Sequence, residues 1–572
     1  MPPSAPIVRT SCGPVRGIST PANVTQFRSI PYAAPPIGKL RWQPPVPLLP
    51  NFGCWHGTLN ATTFQPACLQ QARYGAPSSS SEDCLYLHVS MPPSTTSTAK
   101  PTFVWLHGGG LLEGSAFAIQ SGFEAVLTHL PIALDAIVVG IEYRLGVAGW
   151  LALDALAERD RRGGGRMGNY GLLDVVEALR WVQANVGAFG GDPRRVTVCG
   201  QSSGGSLVLA LLASPASRGL LHRAISLSGS PRLNSTTREA SEYWHRQVVA
   251  RTRCHRHAGG SALAACLLDL NTSELLAARP PSWHPDCFGL GVFDVSYQYA
   301  PLILVDGAGG LLPQPYVDGS GEPPSAVRNR RIPLLLGTTA EEGDFAPTDD
   351  VRAYSRERLR GFVADRLRRT LDGTLVRKLV DYYLGEDAPG RVAAHFEPQR
   401  VYSEIVADAT VVCPNFYLAQ SWQAGRHASP SSERNTPVYA YRASQPLSAP
   451  FCVLRDERFS PPYCPSYAFH ASDMFAWIRP RRTPAFNFTF SPADERYGAL
   501  INERFAALVH HGTVSDWAAA TSQAQPMKDA LPADWSAVEL RVPDAPSVRG
   551  DKSEACAMWL GGGLYERIGL VN

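Results

Sequence analysis

A serine hydroxyl attacks a carbonyl only if the chain lifts it onto an exposed tip and supplies a base for its proton. The stretch Gly200-Gln201-Ser202-Ser203-Gly204 offers such a tip, and its G-x-S-x-G pattern occurs once in the chain. Glycines two residues before and two after Ser202 remove the Cβ atoms that would crowd so sharp a turn. Ahead of it, Arg195 to Cys199 is β-branched and strand-like. Behind it, the apolar run Leu207 to Leu212 reads as a helix whose N-terminal N–H groups face the same spot. A plain Gly/Ser-rich turn is the ordinary alternative for any short pattern of this kind. The strand before and the helix after favour chemistry.

Serine catalysis needs three further parts: a base, a carboxylate to hold it, and donors for the oxyanion. Thr102 to Leu106 is an apolar, strand-like run that ends in His107-Gly108-Gly109-Gly110. Three glycines leave backbone N–H groups unshielded, which suits an oxyanion; a simple glycine turn is the alternative. Ile332 to Leu336 reads as another strand. It runs into Gly337 to Gly343, which carries Glu341 and Glu342 at a strand's C-terminal end, where functional groups of α/β sheets collect. His470 lies later, among aromatics in Tyr467 to Trp477.

The elements that must position these groups alternate. Ala136 to Ile141 reads as a buried strand. A helix opens near Asn169 with Leu172, Val176, Leu179, Val182 and Val186 on one face, and Gly187 to Pro193 breaks it before the Ser202 strand. Strand, helix, strand, turn, helix implies a parallel sheet covered on both faces. Ile7 to Gly17 reads as a small hairpin with a Gly-Pro turn, Leu85 to Val89 and Val438 to Tyr441 as strands, and Val351 to His395 as helical. Ser214 to about Arg330 is loosely patterned.

With 44% hydrophobic and 18% charged residues, the chain is globular; a net charge of +3 over 572 residues gives no case for nucleic acid. No apolar run approaches the roughly 18 residues of a membrane span. Sequons at Asn23, Asn60, Asn234, Asn271 and Asn487, with twelve cysteines, favour the secretory pathway. The N-terminal residues lack the apolar core of a signal peptide, which points instead to the cytoplasm. Cys68 and Cys84 bracket a short polar loop, a spacing that suits a surface disulfide. Cys254 with Cys266 and Cys452 with Cys464 are spaced for local bridges, though spacing alone does not fix connectivity.

Together these stretches resemble the type-B carboxylesterase/lipase family, which includes the cholinesterases. The resemblance runs in family order through Phe27 to Pro45, Pro66 to Cys68, Ser81 to Leu87, His107 to Gly110 with Gly114-Ser115, Tyr143 to Gly146, Gly168 to Asp174, Trp181 to Ser206, Ser226 to Pro231, Gly337 to Gly343 and the His470 region. It implies one α/β-hydrolase domain over residues 1–572, a large, mixed but mostly parallel sheet flanked by helices, with inserted helical and loop segments. It implies Ser202 as nucleophile, Glu342 as the acid, His470 as the base, and the N–H groups of Gly109, Gly110 and Ser203 as the oxyanion hole. It pairs Cys68 with Cys84 and Cys254 with Cys266, and it suggests ion pairs Arg41–Glu82 and Arg144–Asp174. The expected reaction is hydrolysis of a small-molecule carboxylic ester, with no metal or organic cofactor.

Several positions depart from the family pattern. Gln201 stands where glutamate is usual, Ser203 where alanine is usual, and Leu111 where an aromatic is common. The Cys68–Cys84 loop holds no tryptophan, so no face is offered there to a quaternary ammonium and a cholinesterase activity is not expected. An acyltransferase or a dedicated natural-product tailoring esterase would share every residue named. A non-catalytic binding protein of the same fold is the further alternative, although such relatives lack the nucleophile or the base.

Overall fold

The protein is described by a computed structural model covering residues 5–50, 53–71, 79–93, 98–117, 124–159, 165, 167–231, 235–281, 283, 289–290, 303–307, 310–313, 332–345, 349–385, 396–419, 436–448, 452, 463–480, 489–514, 536–540, 547–549 and 552–561. An eleven-stranded sheet organises it. Its strands, in chain order, are β1 (Ile18–Ser19), β2 (Thr25–Pro31), β3 (Tyr86–Met91), β4 (Lys100–Leu106), β5 (Ile137–Ile141), β6 (Gly191–Gln201), β7 (Arg223–Leu227), β8 (Leu334–Thr339), β9 (Val438–Ala443), β10 (Ser536–Leu540) and β11 (Ser547–Arg549). The spatial order is β11-β10-β9-β8-β7-β6-β4-β5-β3-β2-β1. From β5 to β10 every pairing is parallel, and antiparallel strands finish both edges. This is the large mixed sheet of the α/β-hydrolase fold.

The apolar strand runs follow from burial on two faces. Along β4, Val104 and Leu106 enter one core while Phe103 and Trp105 enter the other; β5 and β8 divide the same way. The first core receives helices α1 (Tyr170–Asn185) and α2 (Ser203–Ala213), and every residue of α2 is buried. The predicted stripe Leu172, Val176, Leu179, Val182 and Val186 is buried at no more than 1% exposure, so the periodicity marked the packed face. The second core receives α3 (Ser472–Ile478) and α4 (Pro492–His511). Helix α4 starts on a Ser491/Asp494 capping box with Pro492 in its first turn and stops at Gly512, φ 76°. Among the described residues, no helix is long and apolar enough to cross a membrane.

Five disulfides occur among the described residues. Cys68–Cys84, Cys254–Cys266 and Cys452–Cys464 are the local pairs expected. Cys12–Cys54 and Cys413–Cys556 join residues 42 and 143 positions apart, which no local spacing signals. Two local expectations are corrected. Cys68–Cys84 is not a surface bridge: both residues are fully buried, because Ala67–Cys68 pairs with Ser80–Ser81 and packs under the sheet. The N-terminal hairpin turns at Ser11-Cys12, and Gly13-Pro14 opens its second strand, where Gly13 pairs with Thr10. The ion pairs Arg41–Glu82 (2.6 Å) and Arg144–Asp174 (2.7 Å) are both formed and buried. Asn23, Asn60 and Asn271 are exposed; Asn234 and Asn487 lie outside the described residues.

Candidate active site

The chain leaves β4, forms β5 on one side, then crosses back to place β6 on the other side of β4. That reversal is a topological switch point at the C-terminal ends of β4 and β6, the usual position for a ligand in such a sheet. The register pairs Gly200 with Leu106, so the Ser202 turn and the His107–Gly110 loop leave neighbouring strands at one level. Ser202 sits at φ 58°, ψ −127°, a region L residues avoid. Its N–H donates to Leu227 O (2.8 Å), and its carbonyl accepts Ser206 N–H (3.0 Å) at the start of α2. The flanking glycines are sterically required. A Cβ on Gly200 would run into the Gly204 carbonyl, and one on Gly204 into the carbonyls of Leu106 and His107. Ser202 itself is half-buried and reachable.

The loop after β8 brings Glu342 to His470. Glu342 is fully buried; its Oε1 accepts Thr339 N–H (2.8 Å) and its Oε2 accepts the His470 Nδ1 proton (2.5 Å). A carboxylate only accepts, so Nδ1 carries the proton, and in the neutral ring Nε2 is left as an acceptor. Gln201 Nε2 lies 3.0 Å from that Nε2 and donates to it. The imidazole is thereby held from both sides, by Glu342 and by Gln201, the chain neighbour of Ser202.

The carboxylates flanking Glu342 hold the backbone that carries His470. Glu341 Oε2 accepts Ala468 N–H (3.2 Å), while Oε1 pairs with Arg400 (3.1 Å). Asp344 accepts the Tyr463 hydroxyl (2.5 Å) and the N–H groups of Ser466 (2.8 Å) and Tyr467 (3.0 Å). Burial raises both carboxyls, Asp344 to about 6. Behind His470, Asp473 accepts the Tyr441 hydroxyl (2.6 Å), and full burial pushes it up to about 6. Motif and chain order point to Glu342 and His470 but not to Asp344 or to the task of Glu341. The run Glu-Glu-Gly-Asp, three acids in four residues at a strand end, was the available signal.

The glycine loop presses against the elbow. A Cβ on Gly108 would lie 2.9 Å from Ser202 Cβ, and Gly109 and Gly110 sit at φ 111° and 64°. Ser203 has a role its backbone N–H alone did not suggest: its Oγ accepts Leu111 N–H (3.1 Å), tying the loop to the elbow. Gln70, from the Cys68–Cys84 segment, clamps Gly114 through both its N–H (2.9 Å) and its carbonyl (2.8 Å).

This geometry has counterparts in known proteins. The profile of the Carboxylesterase family matches residues 4–543. The medium-chain fatty acyl-CoA hydrolase precursor of Anas platyrhynchos is 37% identical over 289 residues, 47% of this chain and 48% of its own, so the chain spans about half the length of that relative. The para-nitrobenzyl esterase of Bacillus subtilis (strain 168) is 31% identical over 488 residues, 82% of each chain. A solved PNB esterase structure superposes with a TM-score of 0.72 at 26% identity, covering 97% of this chain and 99% of that one. With a family match along nearly its whole length and a relative 31% identical over 82% of both chains, the chain belongs to the carboxylesterase family.

Proposed function

We propose that the chain acts as one hydrolase unit that cleaves small-molecule carboxylic esters through an acyl-enzyme on Ser202. The observation that carries this reading is the 2.5 Å contact between His470 Nδ1 and the buried Glu342, with the base one residue's reach from the elbow. Glu342 fixes the imidazole tautomer and balances the charge that forms on it. Once the Gln201 amide turns away from it, His470 Nε2 takes the Ser202 proton as Oγ bonds to the ester carbon and the carbonyl π electrons move onto oxygen. The N–H groups of Gly109, Gly110 and Ser203 hold that oxyanion. On collapse the C–O bond to the alcohol breaks, and the alkoxide leaves with the proton from His470. Water, deprotonated by the same base, then attacks the acyl carbon; the bond to Ser202 Oγ breaks, His470 returns the proton to Oγ, and the acid is released. Five disulfides among the described residues, and three exposed sequons, support maturation in an oxidising secretory compartment.

The test is hydrolysis of p-nitrophenyl esters from acetate to palmitate, with acetylthiocholine as a further substrate, by wild type and Ser202→Ala. Turnover by wild type that the variant loses by about 10⁴-fold or more is expected. A folded wild type that is silent on every ester sinks the reading. Product analysis with added alcohols separates hydrolysis from acyl transfer.

A further inference from the structure

Oxyanion donors lower a barrier only if they are aimed before the charge forms. A run of three glycines has the most backbone freedom of any sequence, so its aim must be imposed from outside. Two adjacent residues just beyond β5 grip the loop at its two ends. The Tyr143 hydroxyl donates to His107 O (2.6 Å), and its ring stacks on the His107 imidazole, centroids 4.4 Å apart and 12° from parallel. Glu142 Oε1 accepts both the Ser115 hydroxyl (2.9 Å) and Ala116 N–H (2.7 Å). Between these anchors lie Gly109 and Gly110.

Glu142 is only 1% exposed, and a lone buried carboxylate is costly unless partnered. His88 is the partner. Its Nδ1 accepts Ser29 N–H (2.9 Å), which assigns the proton to Nε2, and Nε2 stands 3.6 Å from Glu142 Oε1. Burial would raise the Glu142 carboxyl, but the His88 and His107 rings and the Ala116 N–H outweigh it and hold it below its usual range. An ionised carboxylate makes stronger bonds to N–H and O–H than a neutral acceptor.

We infer that Glu142 and Tyr143 are positioning residues of the oxyanion loop, Glu142 held in place by His88. The inference rests on the hydrolase reading above. The Tyr143 backbone follows Glu142 directly, so one strand end sets both anchors and the loop between them cannot tilt as a unit.

The experiment compares wild type with Glu142→Ala, Glu142→Gln and Tyr143→Phe. Active sites are titrated with a fluorophosphonate, so that kcat refers to folded enzyme only. Alongside KM and kcat for p-nitrophenyl butyrate, the Ki of an aliphatic trifluoromethyl ketone is measured, since its serine adduct carries an oxyanion. Glu142→Ala is expected to lose about 10²-fold in kcat per titrated site, with KM little changed. Tyr143→Phe, which keeps the ring, is expected to lose about tenfold, and Glu142→Gln to fall between wild type and Glu142→Ala. The trifluoromethyl ketone Ki rises in proportion to the loss in kcat/KM. A merely structural role would lower the titrated fraction and the Tm but leave kcat per site and Ki alone. If the variants that fold keep both within twofold of wild type, the inference is overturned; should Glu142→Ala fail to fold, Glu142→Gln and Tyr143→Phe decide. A wild type inert to ester and ketone alike overturns the hydrolase reading, and this inference with it.

Discussion

Gln201 Nε2 donates to His470 Nε2 across 3.0 Å, on the side of the ring opposite Glu342. The amide therefore occupies the lone pair that the Ser202 proton must reach, and it brings no charge to the base. Replacing it with a carboxylate would favour the imidazolium, which cannot act as a base. Gln201→Glu is expected to move the acid limb of the kcat/KM–pH profile up by about one unit, so activity is lost at a higher pH than in wild type. An unmoved limb would mean that the position-201 side chain does not engage the ring in solution.

Glu342 uses both oxygens as acceptors, one for Thr339 N–H and one for His470 Nδ1–H. An amide of the same shape satisfies only one of them and carries no charge. Glu342→Gln should lower kcat by about 10³- to 10⁴-fold with KM nearly unchanged. Steady-state kinetics on p-nitrophenyl butyrate checks this, and a loss of tenfold or less would remove Glu342 from the proposed role.

The strain at Ser202 predicts a trade of activity against stability. At φ 58°, ψ −127° a Cβ is unfavourable, whereas glycine tolerates the region. Ser202→Gly is expected to abolish turnover and raise the unfolding free energy by about 1 kcal/mol. Denaturant midpoints of the two proteins measure it, and a clear fall in the variant would mean that the elbow stores no such strain.

Asp344 and Asp473 are both held up at about 6 by burial. An unfolded chain releases these protons near pH 4. Between about pH 4 and 6 the folded state thus keeps protons that the unfolded state has lost. The stability these groups contribute is full below the window and is lost as pH rises through it, at up to about 1.4 kcal/mol per pH unit for each. Asp473→Asn keeps an acceptor for Tyr441 and removes one titration. Its unfolding free energy should decline less steeply than that of wild type over this range, measured by urea unfolding at intervals. Parallel pH dependences in the two proteins would contradict the raised Asp473.

Much of the site is legible in the chain because serine chemistry demands local patterns. Gly200, Ser202 and Gly204 are fixed by the sterics of one turn, and His107 to Gly110 by the need for bare backbone; both signals span five residues or fewer. The parallel sheet is legible for a similar reason: strands buried on both faces must be apolar throughout, and helix α1 must repeat with its own period. Glu342 and His470 are separated by 128 positions, and only order along the chain links them in sequence. Tertiary structure alone decides that Glu341 and Asp344 hold the histidine backbone, that Gln201 faces the base, and that Ser203 Oγ and Gln70 bind the glycine loop. It also decides that Cys12 meets Cys54 and Cys413 meets Cys556. The site partners are set by which strand ends lie at the same level of the sheet, a consequence of register and crossover, whereas Cys413 and Cys556 meet because the helices that carry them pack together. Residue type constrains what a side chain can donate or accept; only the packed sheet determines what stands opposite it.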